Sequence, residues 1–431
     1  MSEQVVKGME TPARRSFRSS WWRSHGRLDK VLSGRNNSFG LLRLLLASSV
    51  VYAHAYPIGY NLEDPLWKIT GGQTDVGKLA VVGFFVLSGF MITSSGRRLG
   101  IGRYAWHRCL RIFPGLWMCL VVTAFVVAPI MFLHQHGDLN GFWNNSDGPI
   151  QYIHGMYNTS IGTGWDISGV MKLADHRGTN YNNSFDGALW SLKYELLCYI
   201  VVGILAAGGA LRRAPRTVLL MTAALWATMV MNLLNAKSLR GGSGEPSTYI
   251  EIPVIGNLDT HYIIYLGFAF MLGASFQLYR HRFPVNDALG VLSAVVLLAT
   301  FHFGMFNVIG YPAFAYLLMW LGVRLPRWLH WVGRKHDYSY GVYIYGFVVE
   351  QFLCLYGANH WGVHRYFAVS LAVTLAVAIL SWHLVESQAM KLKDMRSPVD
   401  RWRARRAVPP SEAPSEDGPL ADESVYSGNR A

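Results

Sequence analysis

The sequence predicts an all-α, polytopic membrane helix bundle of about ten transmembrane helices, with both termini in the cytoplasm. Three observations carry this. Of 431 residues, 51% are hydrophobic and only 15% charged, whereas a soluble domain carries about 25% charged residues. Apolar stretches long enough for a bilayer core of about 30 Å recur along the chain. Lys and Arg alternate between its connections: one set holds 30 of the 39, the other holds six, and three lie within spans.

The apolar stretches run over 39–57, 76–96, 112–134, 188–208, 216–235, 260–279, 285–302, 304–323, 338–357 and 365–386. The seventh and eighth are separated by almost nothing near His302 to Met305, which makes them a tight helical hairpin. The basic set of connections comprises the N-terminal tail, 97–111, 209–216, 280–284, 324–337 and the C-terminal tail. Positive charge collects on the cytoplasmic side of membrane helices, so this set is cytoplasmic and the number of crossings is even. The same rule accounts for the net charge of +13. In a soluble protein that charge would point to nucleic acid; here the expected partner is membrane lipid.

Three regions follow: a basic tail over 1–37 with Trp21 and Trp22, a transmembrane domain over 38–392, and a Pro/Ser/Glu/Asp-rich tail over 393–431 whose composition is that of disorder. Cys109, Cys119, Cys198 and Cys354 lie in or beside apolar segments without metal-ligand spacing. No disulfide framework and no metal are expected. The longest outer connection, 135–187, is rich in Asn, Gly, Asp and aromatics. It suits either a sugar-facing surface or a plain solvated loop.

The candidate chemistry begins in the first span, FGLLRLLLASSVVYAHAYPIGY, with Arg43 and His54. A charged residue at the centre of a membrane helix costs about 2.5–3.5 kcal/mol on insertion scales, so such groups face a bundle interior or a wet cavity. Arg43 lies near the cytoplasmic end and His54 about 16 Å further along the axis, at about 1.5 Å per residue. Glu195, near the outer start of the fourth span, reaches a similar depth to His54. An imidazole beside a buried carboxylate is a general-base pair. The alternatives are that His54 caps its helix and Glu195 pairs with Lys193.

In the second span Phe84, Phe85, Ser88 and Gly89 sit near mid-membrane, and Ser88-Gly89 offers a small surface to a ligand chain or another helix. Arg108 and Arg111 share one helix face and suit a phosphate-bearing ligand or anionic lipid. Tyr340, Tyr343 and Tyr345 place hydroxyls inside the bundle, Glu350 is a further intramembrane acid, and Glu386 is expected to pair with basic residues.

Taken together and in order, these residues resemble the membrane acyltransferase-3 family. The resemblance covers about 38–392. It rests on Arg43 and His54, on Phe84-Phe85 with Ser88-Gly89, and on Arg108-x-x-Arg111 with Pro114. It rests further on Trp190-Ser191-Leu192 with Glu195, Ser339-Tyr340-Gly341, and Ser381-Trp382 with Glu386. Many members carry a histidine where this chain has Gly346, so no second catalytic histidine is assigned there. The soluble esterase-like domain of larger members is not expected.

The resemblance implies a membrane O-acyltransferase, most simply an O-acetyltransferase. It would move an acyl group from cytoplasmic acyl-CoA to a hydroxyl of an extracytoplasmic glycan or glycolipid, such as exopolysaccharide or lipopolysaccharide. His54 would be the catalytic base with Glu195 its partner. Arg43, Arg108, Arg111, Phe84, Phe85 and Ser88 would bind the acyl-CoA, and Trp190, Ser191, Tyr343 and Tyr345 would line the acceptor side. The bacterial cytoplasmic membrane or a plasma membrane is the expected location, and polysaccharide-biosynthesis proteins are expected partners. The rival reading, a transporter or flippase of lipid-linked saccharide, explains the spans and buried charges but not the ordered motifs. It also lacks the internal repeat and broken half-helices of many transporters. A scaffold would leave Arg43 and His54 without a reason to be buried.

Overall fold

Each of the ten apolar stretches forms a helix in the computed structural model. The structure describes residues 24–32, 37–157, 166–171, 184–236, 238–240, 248–252 and 255–395. Trp21, Trp22 and the C-terminal tail from 396 onward therefore lie outside the described residues. The helices are α1 Phe39–Tyr60, α2 Val76–Arg98, α3 Ile101–His136, α4 Gly187–Ala207, α5 Arg216–Asn235, α6 Thr260–Leu278, α7 Asp287–Phe303, α8 Phe306–Arg324, α9 Ser339–Leu355 and α10 Val363–Lys391. Among the described residues eight are long and apolar enough to cross a membrane; α7 and α9 have 17 residues each. The α7–α8 hairpin turns on Gly304 and Met305, both at positive φ.

α3 differs most from expectation. It begins at Ile101 rather than 112 and runs 36 residues, about 54 Å at 1.5 Å per residue. That exceeds a bilayer core, so its basic first turns project beyond the apolar part as continuous helix. Arg108 and Arg111 are thus held on a rigid element. The helix passes through Pro114 and widens into a π-turn at Thr123–Val127. Pro129 follows; it has no N–H to offer the carbonyl one turn back.

The connections segregate to two ends of the bundle. At one end, strand Ser24–Arg27 pairs antiparallel with Pro284–Asn286, and the Leu28 amide donates to the Phe283 carbonyl at 3.0 Å. Leu28 is buried, so part of the expected N-terminal tail is folded against the α6–α7 connection. At the same end Arg212 donates to the Arg97 carbonyl, and the Trp106 indole donates to the Leu392 carbonyl. At the other end Arg240 donates to the His302 carbonyl, Gln73 bridges Thr300 and Phe306, and Tyr60 donates to the Asn359 carbonyl. These groupings are the two sets defined by Lys and Arg counts.

The long connection 135–187 is more than a solvated loop. It contains helix Pro149–Met156, and Phe142, Tyr152 and Ile167 in it are buried.

Burial ranks the helices. In α9 every residue from Ser339 to Gln351 is buried, the mark of a helix enclosed on all sides. α1, α10, α3 and the start of α4 surround it. α2 and α6 cross at two glycines. A Cβ on Gly89 would stand 1.9 Å from the Phe270 carbonyl oxygen, and one on Gly273 would stand 2.0 Å from that of Val86. Small residues permit this backbone approach between membrane helices. α5 lies at the periphery, with 17% of its apolar window buried against 67% for α2 and α6.

Candidate active site

Arg43 and His54 are eleven residues apart, close to three turns of helix, so α1 presents both on one face. The Arg43 end is a charge cluster. Arg43 Nη1 lies 2.5 Å and Arg111 Nη2 2.6 Å from the same oxygen, Oδ2 of Asp337. The other oxygen of Asp337 accepts from the Ser339 hydroxyl at 2.5 Å. The connection bearing Asp337 is seated on the start of α1, where the Gly40 and Gly333 backbones meet so closely that a Cβ on Gly40 would fall 2.3 Å from the Val332 carbonyl oxygen. Burial raises the Asp337 pKa, but the guanidiniums of Arg43 and Arg111, with the Ser339 hydrogen bonds, outweigh it and bring it down to about 2. Arg111 also lies 3.9 Å from Glu386 Oε2. A π-turn in α10, Trp382–Glu386, carries that acid inward.

From this cluster polar and aromatic groups continue into the bundle. The Arg111 guanidinium lies over the Tyr340 ring at 5.5 Å, and Tyr340 donates to the Ile112 carbonyl. Arg108, one turn earlier on α3, lies over the Tyr199 ring at 5.6 Å, and its buried Nε has no hydrogen-bond partner. Tyr199 donates to Glu195 Oε1 at 2.6 Å, and Ser88 donates to the same oxygen at 3.1 Å. Deeper still, Phe84 stands edge-on to Tyr343 with ring centroids 5.8 Å apart. Tyr343 shares a 2.6 Å hydrogen bond with Ser191 and donates to the Ala188 carbonyl. One turn further along α9, Phe347 meets His54 edge-on at 4.9 Å. His54 is half-buried, and its Nδ1 is buried without a hydrogen-bond partner.

Several expected roles are redistributed. His54 and Glu195 share no hydrogen bond; Glu195 is committed to Ser88 and Tyr199. Asp75, at the start of α2, caps that helix and pairs with Lys78 at 3.1 Å. Nor does Glu195 pair with Lys193, which donates to the Asn257 carbonyl. Arg43 is paired with a carboxylate. Gly89 packs on α6 as an ordinary helix contact. Phe85 is buried in the core, whereas Phe84, about 100° around the helix, faces the interior line. Tyr345 is buried beside Ser381. Trp190 turns away from Tyr343 toward Tyr194 and Tyr262.

Asp337, Tyr199 and Phe347 were not among the expected site residues. Tyr199 is four residues from Glu195 and Phe347 four from Tyr343, the spacing that puts helical neighbours on one face. Asp337 stands two residues before Ser339-Tyr340-Gly341, in a connection whose basic residues drew attention to its charge count alone.

The fold and this interior line define a polytopic membrane protein with a paired charge cluster at one end and an unpaired imidazole toward the other. Residues 36–383 match the profile of an acyltransferase domain. The chain belongs to that family, acyltransferase-3, and is a membrane acyltransferase. It is similar to an O-acetyl transferase of Shigella phage Sf6, 27% identical over 377 residues that make up 85% of this chain and 99% of the relative. It is also similar to Nodulation protein 10 of Rhizobium leguminosarum bv. viciae, 26% identical over 380 residues, 84% of this chain and 95% of the relative. No solved structure matches the chain.

Proposed function

We propose that the protein is an O-acetyltransferase of the bacterial cytoplasmic membrane that moves an acetyl group from acetyl-CoA in the cytoplasm to a hydroxyl of an extracytoplasmic glycan or glycolipid. The observation that carries this is the interior line from Arg43, Arg111 and Asp337 to His54. Its charged end lies among the Lys/Arg-rich connections and its imidazole lies toward the opposite end, so donor and acceptor can approach from opposite sides. The O-acetyl transferase of phage Sf6 supports the choice of acetyl.

In this reading the CoA phosphates are met at the charged end. Arg108 is the guanidinium with an unpaired Nε; Arg43 and Arg111 hold the entrance together through Asp337. The acyl arm runs past Tyr340, Ser88 and Phe84. His54 takes the proton from the acceptor hydroxyl as its oxygen bonds to the thioester carbonyl carbon. The carbon–sulfur bond then breaks, and the proton passes to the leaving thiolate. The Phe347 ring packs against the imidazole and holds its orientation. No charged partner on α4 is needed for this step. A transporter or flippase would share the spans and buried charges, but the family match supports the enzyme.

The test is mass spectrometry of surface glycans from cells with and without the protein, and with His54→Ala. An added acetyl group, about 42 Da per sugar, that is present only with the unaltered protein is the expected result. Identical glycans in all three strains would refute the reading.

A further inference from the structure

A cavity of about 270 Å³ opens beside α2, among α4, α5, α6 and α8, close in size to the smallest ligand pockets. It lies at the end of the bundle with few Lys and Arg, and its lining is unlike the apolar core. Trp67, Trp190, Tyr262 and Asn307 all face it. Trp190 and Tyr262 form an aromatic corner with ring centroids 4.5 Å apart, and Lys78 covers the Trp67 ring at 4.8 Å.

The polar ends of these side chains are uncommitted. Among the described residues the Trp67 and Trp190 indoles, the Tyr262 hydroxyl and the Asn307 amide make no hydrogen bond, and none of them is sealed from solvent. Four such groups converging on one aromatic-walled cavity are free to meet the hydroxyls of a polar ligand. Ring faces with hydroxyl-directed donors between them are the chemistry of a sugar ring, which is apolar on its faces and hydroxylated around its rim.

The cavity and His54 are neighbours across one helix. Ala53 and Gly77 touch, with a Cβ on Gly77 only 3.1 Å from that of Ala53, while Lys78, Val81 and Val82 turn to the cavity. A glycan passing over the start of α2 spans one helix spacing, about 8–10 Å. We propose that this cavity is a saccharide subsite: it holds a sugar unit next to the one that is acylated and selects which glycan is modified. The proposal rests on the glycan acceptor proposed above.

The test uses the full-length protein in lipid nanodiscs and oligosaccharides released by mild acid from the host's own surface polysaccharide. Binding is measured by calorimetry without donor, for the unaltered protein and for Tyr262→Phe, Asn307→Ala and Trp67→Ala. Each variant is expected to bind the oligosaccharides about 3- to 10-fold more weakly, the effect of one lost hydrogen bond. The acceptor KM should rise in parallel, with kcat and acceptor-free acetyl-CoA hydrolysis kept. Unchanged affinity in all three correctly folded variants overturns the subsite, as does an equal loss of acceptor-free hydrolysis. Oligosaccharide binding that is lost in the variants, with no acetyl transfer by the unaltered protein, keeps the saccharide site and overturns the transferase reading instead.

Discussion

Arg43 on α1 and Arg111 on α3 meet on a single atom, Oδ2 of Asp337. Two guanidiniums that close together repel one another unless an anion lies between them. Asp337 is that anion, and it couples three segments far apart in sequence at the mouth of the interior line. Removing one member of this half-buried ion cluster leaves the others less compensated, at about 1–3 kcal/mol. Asp337→Asn is expected to lower thermal stability in detergent by that order and to reduce transfer; an unchanged melting profile would show that the arginines are held by something else. The sign of the pH effect follows from the lowered pKa. The stabilising charge is complete above about pH 4, the unfolded value, and is lost as pH falls toward about 2. Stability between pH 5 and 8 should therefore be insensitive to this group.

The two arginines on one face of α3 should separate in their effects. Arg108 contacts the Tyr199 ring and has an unpaired Nε; Arg111 holds Asp337. Arg108→Ala is expected to raise the acyl-CoA KM about tenfold or more, the scale of a lost charge-assisted hydrogen bond, with stability nearly kept. Arg111→Ala should lose stability as well. Steady-state kinetics beside thermal unfolding reads both; a larger loss of stability at Arg108 would reverse the assignment.

His54 and Glu195 should also behave differently. Loss of a general base lowers rate by about 10²–10⁴, so His54→Ala is expected to fall to background. Glu195→Gln keeps an acceptor for Ser88 and Tyr199 and should retain about a tenth of kcat or more. Equal, severe losses at both positions would restore the direct pair that their common depth predicts.

Gly89→Ala tests the α2–α6 crossing. Its Cβ would overlap the Phe270 carbonyl oxygen, and overpacking of this kind costs about 1–3 kcal/mol or more. The yield of monodisperse protein should drop sharply. Full yield with full activity would mean that the two helices separate easily.

Hydropathy and charge count made the ten helices and the two ends of the bundle legible, because both follow from how a chain meets a bilayer. The α5 limits, 216–235, agree to the residue. The start of α3 was not legible: a helix that leaves the apolar layer keeps its hydrogen bonds but loses its hydropathy signal. Within the site, residues that conflict with a membrane environment stood out, Arg43, His54 and Glu195 among them. Their partners did not. Depth along an axis says nothing of rotation about it, so His54 and Glu195 could share a level without facing each other. Asp337 lies in a connection, where a carboxylate is unremarkable until the fold brings two arginines to it. Trp67, Tyr262 and Asn307 come from three distant segments, and only packing assembles them.

The strand at Ser24–Arg27 has a consequence for how the protein is made. Its partner, Pro284–Asn286, is synthesised some 260 residues later. At about 5–20 residues per second, this strand waits roughly 13–50 s before its mate emerges. By then six helices have been delivered to the bilayer. The pairing therefore acts as a late latch on biogenesis, closing only when the first half of the bundle is in place.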